Sequence, residues 1–194
     1  MTSLNYVVVS TLLLTMNNET FELFFSMLSV ALLAGTLVVL VARMSYSRSS
    51  SARAIVSAFS PWALPLAAAV TTTCTLGSLY FSEIVNYKPC IMCWYQRIMM
   101  YPLAVILIIA AISKDKRVWR YATPLAAIGI VFSTYHWFLE RFPNLDAGVC
   151  DAEVPCEFVW FENFGFVTLP FMALTGFLAV LVFTTLPNTQ TEQS

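Results

Sequence analysis

The chain has 194 residues, of which 59% are hydrophobic and 11% charged, with a net charge of −1 and a mean hydropathy of +0.75. These values exclude an ordinary soluble domain, give no sign of nucleic-acid binding, and define an integral membrane protein whose first partner is the lipid bilayer.

Five stretches approach the roughly 20 apolar residues that cross a bilayer: 21–42, 61–81, 90–112, 121–139 and 164–186. The expected fold class is therefore all-α. Ahead of the first stretch, the apolar run 6–16 stops at Asn17-Asn18-Glu19, and no Lys or Arg precedes Arg43. A cleaved signal peptide starts with basic residues, so this run is expected to be an outer-face or partly embedded extension. The stretch from Arg43 to Ser60 is basic and serine-rich and reads as a cytoplasmic linker. Pro61 suits the first turn of the second span, where its missing N–H costs nothing. Inside that span, Thr71 to Thr75 with Gly77 and Ser78 form a run of small residues that lets membrane helices approach closely. Cys74, in this run, reads as a small packing residue.

Orientation follows from the basic residues, which concentrate in cytoplasmic connections. Arg43, Arg48, Arg53, Lys114, Lys116, Arg117 and Arg120 lie on one side, and only Lys88 and Arg141 lie in the opposite connections. The N-terminus is expected outside and the C-terminus inside, with an acidic outer face. Four of the five cysteines then share the outer side, where disulfides persist.

The third span opens with Lys88-Pro89-Cys90-Ile91-Met92-Cys93-Trp94-Tyr95-Gln96-Arg97. Cys90 and Cys93 are three positions apart, so at the start of a helix their side chains share a face and can close a small disulfide. A helix N-terminus and a cation one turn further on both lower a thiol's pKa, which points to a Cys93 thiolate. Arg97 at that depth either snorkels to the headgroups or faces the bundle, where it would stabilise negative charge on Cys93 or on an acceptor. Pro102, about three turns on, is a candidate kink. Zinc and iron–sulfur centres want four ligands, and one histidine with one Cys-x-x-Cys does not supply them, so no metal is expected.

The fourth span ends in Tyr135-His136-Trp137, with Glu140-Arg141 at the outer surface. His136 reads either as an interfacial side chain bonded to backbone or as a proton donor to a reduced quinone. The outer loop 140–163 holds Cys150 and Cys156, followed by the aromatic run Phe158 to Phe164, which suits the membrane interface. Alone, the loop pair could be a structural staple; beside a second pair on the same side it reads as one of two dithiol couples passing electrons in series.

Together, Pro89-Cys90-x-x-Cys93-x-x-x-Arg97 at the head of a helix, and two spans enclosing a loop with a cysteine pair, resemble the DsbB/BdbC family of membrane thiol:quinone oxidoreductases. The short Cys150-x5-Cys156 spacing is similar to its BdbC-type members. The resemblance implies a four-helix transmembrane bundle over 61–187, with the outer cysteine loop 140–163. Residues 1–60 are then an extension with one additional N-terminal transmembrane helix, and 188–194 a cytoplasmic tail. It also implies an activity: reoxidation of an extracytoplasmic thioredoxin-fold dithiol oxidase of the DsbA type, with electrons passed to ubiquinone or menaquinone. Cys150 would form the mixed disulfide with that partner, Cys156 would exchange with Cys90, and Cys93, with Arg97 beside it, would reduce the quinone. His136 is carried to the quinone site by its position near a helix end alone. A vitamin K epoxide reductase-like enzyme uses similar parts, but there the loop pair precedes the Cys-x-x-Cys. A non-enzymatic membrane protein with structural disulfides or a bound metal is the alternative of a different class.

Overall fold

The computed structural model describes residues 2–146, 148–150 and 154–186, with side chains from Asn18 onward apart from Lys116. The tail expected at 188–194, the side chains of 6–16, and the acidic Asp151 and Glu153 of the outer loop lie outside the described residues.

The described residues contain six α-helices: α1 (Thr2–Met44), α2 (Ser50–Phe59), α3 (Ala63–Leu79), α4 (Ile91–Ser113), α5 (Trp119–Arg141) and α6 (Leu169–Thr184). Among the described residues there is no strand, only an isolated bridge between Asn163 and Val167. Four stretches are long and apolar enough to cross a membrane: Asn18–Met44, Ser50–Ile84, Ile91–Ser113 and Trp119–Arg141, with α6 a shorter apolar helix. α3 to α6 form a ring in which each helix packs on its chain neighbour and α6 closes back onto α3. α1 packs outside that ring, against α6. The expected four-helix bundle with one additional N-terminal helix is the architecture found.

Three differences from the sequence-based boundaries have local causes. The linker 43–60 is mostly helical: Ser49 caps α2 by accepting the Ala52 N–H, and the chain passes through a 3-10 turn at Ser60–Trp62 directly into α3. Pro61 sits in that turn, where no helical N–H is required. The last span starts five residues later than expected, because Phe164 and Gly165 take left-handed backbone angles and close a turn across the Asn163–Val167 bridge. Its 16 residues rise only about 24 Å. Pro102 lies within α4, which continues past it to Ser113.

The core of the ring is built from Leu103 and Leu107 of α4, Ala122 and Ala126 of α5, Phe177 and Val180 of α6 and Ala67 of α3, all buried. Large and small residues alternate across the interfaces. A Cβ on Gly129 would stand 2.3 Å from the Phe177 ring, and one on Gly176 2.7 Å from Cys74 Sγ. These two glycines let α6 approach α5 and α3 with a phenylalanine and a cysteine filling the space. Cys74 thus packs, as its size suggests.

This connectivity places the N-terminus of α4 and the loop after α5 at one end of the bundle. The basic turns after α1 and α4 lie at the other.

Candidate active site

Cys90 is the N-cap of α4: its backbone is extended (φ −73°, ψ 173°), and its Sγ accepts the Cys93 N–H at 3.3 Å. Pro89 before it favours that extended entry and cannot join a preceding helix. An N-cap side chain receives the first unpaired N–H groups of the helix. The helix terminus therefore acts on Cys90 more than on Cys93.

The two thiols are 3.0 Å apart, and His136 Nε2 lies 3.5 Å from Cys90 Sγ. Cys90 is buried at 6% exposure and His136 at 3%. The Cys93 thiol donates to Cys90, His136 adds a second hydrogen bond, and the Cys93 N–H adds a third. These outweigh burial, and the Cys90 thiol falls to about 4 from the ordinary 9. The sequence points to Cys93 as the anion; the structure moves the stabilised charge to Cys90, because Cys90 holds the cap.

The histidine's orientation is fixed from behind. Gln96, buried one turn past Cys93, places its amide nitrogen 3.0 Å from His136 Nδ1. An amide nitrogen only donates, so Nδ1 is the accepting atom and Nε2 carries the proton. That Nε2–H faces two acceptors, Cys90 Sγ and the Cys156 carbonyl oxygen at 3.2 Å. His136 thus joins the helix pair to the loop pair, and does not lie on the wall of the cavity described below. The structure places it beside the thiols.

Cys150 and Cys156 form a disulfide. Cys156 is buried in one apolar cluster with Cys90, Met92 and Leu139, while Cys150 is half-buried beside a small surface depression with Asp146 and Glu157. Of the two bonded sulfurs, Cys150 is the one reachable from solvent. The loop is pinned by rings: Trp160 stacks on Tyr87 at 4.4 Å, and Phe161 packs against Phe81 at 5.6 Å. Part of the aromatic run after Cys156 therefore binds the segment leading to Cys90, while Phe158 and Phe164 stay exposed.

On the other side of the helix pair is a largely apolar cavity of about 340 Å³ between α1, α3, α4 and α6, reaching Cys93 but not Cys90. Arg97 lies on its wall and turns into the bundle: Nε donates to Ser78 Oγ at 3.0 Å and Nη2 to the Ser78 carbonyl at 3.1 Å, with the guanidinium 5.3 Å from the Trp94 ring. Tyr101 donates to the same Ser78 hydroxyl at 3.3 Å. The cavity has a polar end at Cys93, Arg97, Ser78 and Tyr101, and apolar walls below it.

Cys90, Cys93 and His136 have donor atoms within 4.8 Å of one another and could share a soft cation; they provide three ligands, one short of a closed structural site. Gln96, Tyr101 and Tyr87 carry no motif in the sequence, and Ser78 stands out there only as one of a run of small packing residues. Gln96 left a trace: it is an amide at mid-turn in an apolar span, where an unpaired polar group is expensive.

The chain matches the family model described as "Disulfide bond formation protein DsbB" over residues 60–186. It is 48% identical over 109 residues to a "Probable disulfide formation protein C 1" of Bacillus cereus, covering 56% of this chain and 78% of that one. It is 43% identical over 131 residues to the "Disulfide bond formation protein C" of Bacillus subtilis, covering 66% of this chain and 90% of that one. No solved structure matches it. With a buried dithiol set against a loop disulfide at one end of a four-helix membrane bundle, and the family match spanning that bundle, this chain belongs to the DsbB family of disulfide bond formation proteins.

Proposed function

We propose that the protein is a thiol:quinone oxidoreductase that reoxidises a DsbA-type thioredoxin-fold dithiol oxidase outside the cell membrane. The observation that carries this reading is the position of the Cys90–Cys93 dithiol. On one flank Cys90 is held by His136, which also holds the loop cysteine Cys156; on the other, Cys93 and Arg97 share the wall of an apolar cavity.

A partner thiolate attacks Cys150 Sγ, the accessible sulfur, and breaks the Cys150–Cys156 bond, leaving Cys156 as thiolate. The partner's second thiol displaces Cys150, so the partner leaves oxidised and the loop pair holds two electrons and two protons. Cys156 then attacks Cys90 of a Cys90–Cys93 disulfide, Cys93 leaves, and Cys150 displaces Cys90 as the loop disulfide closes again. The helix pair is now the dithiol. A loop disulfide beside a Cys90–Cys93 thiol pair is the sulfur pattern of this structure. Hydrogen bonds to Cys90 make it a good leaving group in that exchange. Closing the Cys90–Cys93 bond releases two electrons and two protons into the cavity.

The cavity fits a quinone. Its volume lies within the usual range for small-molecule sites, its walls are largely apolar, and its polar lining includes two cations, Arg97 and Lys88, the Ser78 and Tyr101 hydroxyls, the Gln96 amide and the Cys93 sulfur. When bound, a quinone accepts the two electrons and two protons. Arg97, held by Ser78, offers a fixed positive donor to an acceptor oxygen, and Cys93 lies where the sulfur meets the polar end. The basic turns at the opposite end of the bundle support a cytoplasmic location for that end and an outward-facing position for both cysteine pairs.

The test is oxidation of a reduced thioredoxin-fold protein by the purified chain, with ubiquinone or menaquinone as the sole oxidant. Turnover is expected with quinone and lost in Cys93→Ser. Full turnover of that variant, or turnover indifferent to quinone, overturns the reading.

A further inference from the structure

The family match begins at residue 60, so α1 lies outside it. Even so, Phe25, Leu28, Ser29 and Leu32 of α1 are on the wall of the cavity that also reaches Cys93 and Arg97. Offsets of three, four and seven put these residues on one helical stripe. The Ser29 hydroxyl donates to the Ser26 carbonyl at 3.0 Å, so that stripe offers the cavity an essentially apolar face.

Fixed contacts hold α1 in this position. At the cysteine end, Tyr87 donates to the Glu22 carboxylate, and Asn163 donates to Ser26 Oγ at 2.9 Å. Phe25 lies over Gly77, where an added Cβ would come within 3.1 Å of its ring. At the far end Arg43 donates to Thr185. Small buried residues, Ser26, Ser29, Thr36 and Ala42, line the inward face and permit close packing. Tyr87 and Asn163 flank the two cysteine pairs in the chain, so α1 is tied to the segments that carry them.

We propose that α1 is a wall of the electron-acceptor site, and that Phe25, Leu28 and Leu32 bind the first prenyl units of a quinone's tail. The proposal rests on the acceptor reading above and extends it to a part of the chain outside the family's bundle. Phe25 packs beside Gly77, next in the chain to the Ser78 that holds Arg97, at the polar end of the cavity. From Phe25 to Leu32 the stripe descends about 10 Å along the helix. A ring fixed at Arg97 therefore directs its apolar tail past Leu28 and Leu32. With Phe25, Leu28 and Leu32 on its wall, the cavity holds the tail against protein on the α1 side, and its fit depends on these side chains.

The test uses the full chain in detergent with a photoreactive azidoquinone, followed by mapping of the labelled peptides. Label is expected within residues 25–32 and is displaced by excess unlabelled prenylated quinone. Leu28 is 41% exposed but, unlike Met27, lines the cavity, so Leu28→Trp is expected to raise the apparent KM for a prenylated quinone about tenfold by filling the space the tail takes, and to leave a tailless quinone nearly unaffected. Leu28→Ala, which removes surface and strains nothing, is expected to raise the same KM and serves if the tryptophan variant fails to assemble. Met27→Trp, on the exposed face, is the control and leaves both values unchanged. Displaceable label confined to α3, α4 or α6, or an unaltered KM in the Leu28 variants, overturns the role of α1 and leaves the acceptor reading standing. Absence of displaceable label from the whole cavity, with no quinone-dependent turnover, overturns both.

Discussion

His136 Nε2 lies 3.5 Å from Cys90 Sγ and in the same position reaches the carbonyl oxygen of Cys156 at 3.2 Å. One protonated nitrogen thus touches both cysteine pairs, holding Cys90 on the helix and the backbone of the loop disulfide. Removing it should loosen both at once.

His136→Ala is expected to raise the Cys90 pKa from about 4 by one to two units, since a hydrogen bond to a charged group contributes roughly 1.5–3 kcal/mol. The pH dependence of Cys90 alkylation in the reduced protein measures this, with the inflection moving toward neutral pH. The sign of the linked stability follows from the depressed value. The thiolate stabilises the reduced fold fully above the ordinary thiol pKa near 9, and this contribution disappears as pH falls through about 4. An alkylation profile identical to that of the unsubstituted protein would remove His136 from the site.

Gln96→Leu should shift that inflection in the same direction but by less. The leucine leaves the histidine in place and removes only the donor that fixes its tautomer. The loop exchange, read as the rate of electron transfer from a reduced Cys150–Cys156 pair to an oxidised Cys90–Cys93 pair, is expected to slow with it. A Gln96→Leu effect larger than that of His136→Ala would show that the amide acts by another route.

Arg97→Ala should raise the apparent KM for quinone roughly tenfold, the loss of one charge-assisted contact, with Cys90 alkylation unchanged. Arg97→Lys should recover little, because a single ammonium cannot reproduce the paired Nε and Nη2 bonds to Ser78. Steady-state kinetics with quinone varied at saturating thiol partner separate these outcomes.

A thioredoxin-fold partner whose second cysteine is replaced by serine is expected to be trapped as a disulfide on Cys150, the more exposed of the loop sulfurs, with Cys156 the displaced thiolate, visible on a non-reducing gel. Accumulation of the partner on Cys90 instead would reverse the proposed order of transfer.

Gly129→Ala should destabilise the bundle by about 1–3 kcal/mol, the usual cost of overpacking, because the new methyl would meet the Phe177 ring at 2.3 Å. A second change, Phe177→Leu, should recover part of that loss in a thermal melt in detergent.

Much of this was legible from residue order. Apolar stretches of bilayer length fixed the number of membrane helices, because a backbone in lipid must bond to itself and only a helix does so within one segment. Cys-x-x-Cys and the loop pair singled out the four sulfurs that the fold gathers at one end of the bundle. The boundary errors at Ser50 and Phe164 arose where capping and left-handed turns, which depend on a few dihedral angles, overrode hydropathy.

The sequence by itself determined that the chain is a membrane bundle with two cysteine couples, since those features depend on local composition and spacing. Only the tertiary structure decided which thiol is the anion, what His136 does, and that α1 closes the cavity. Each of these depends on groups far apart in the chain, Cys90 with His136, His136 with Cys156, Phe25 with Gly77, and a hydrogen bond or packing contact exists only when folding brings its two partners within a few ångströms.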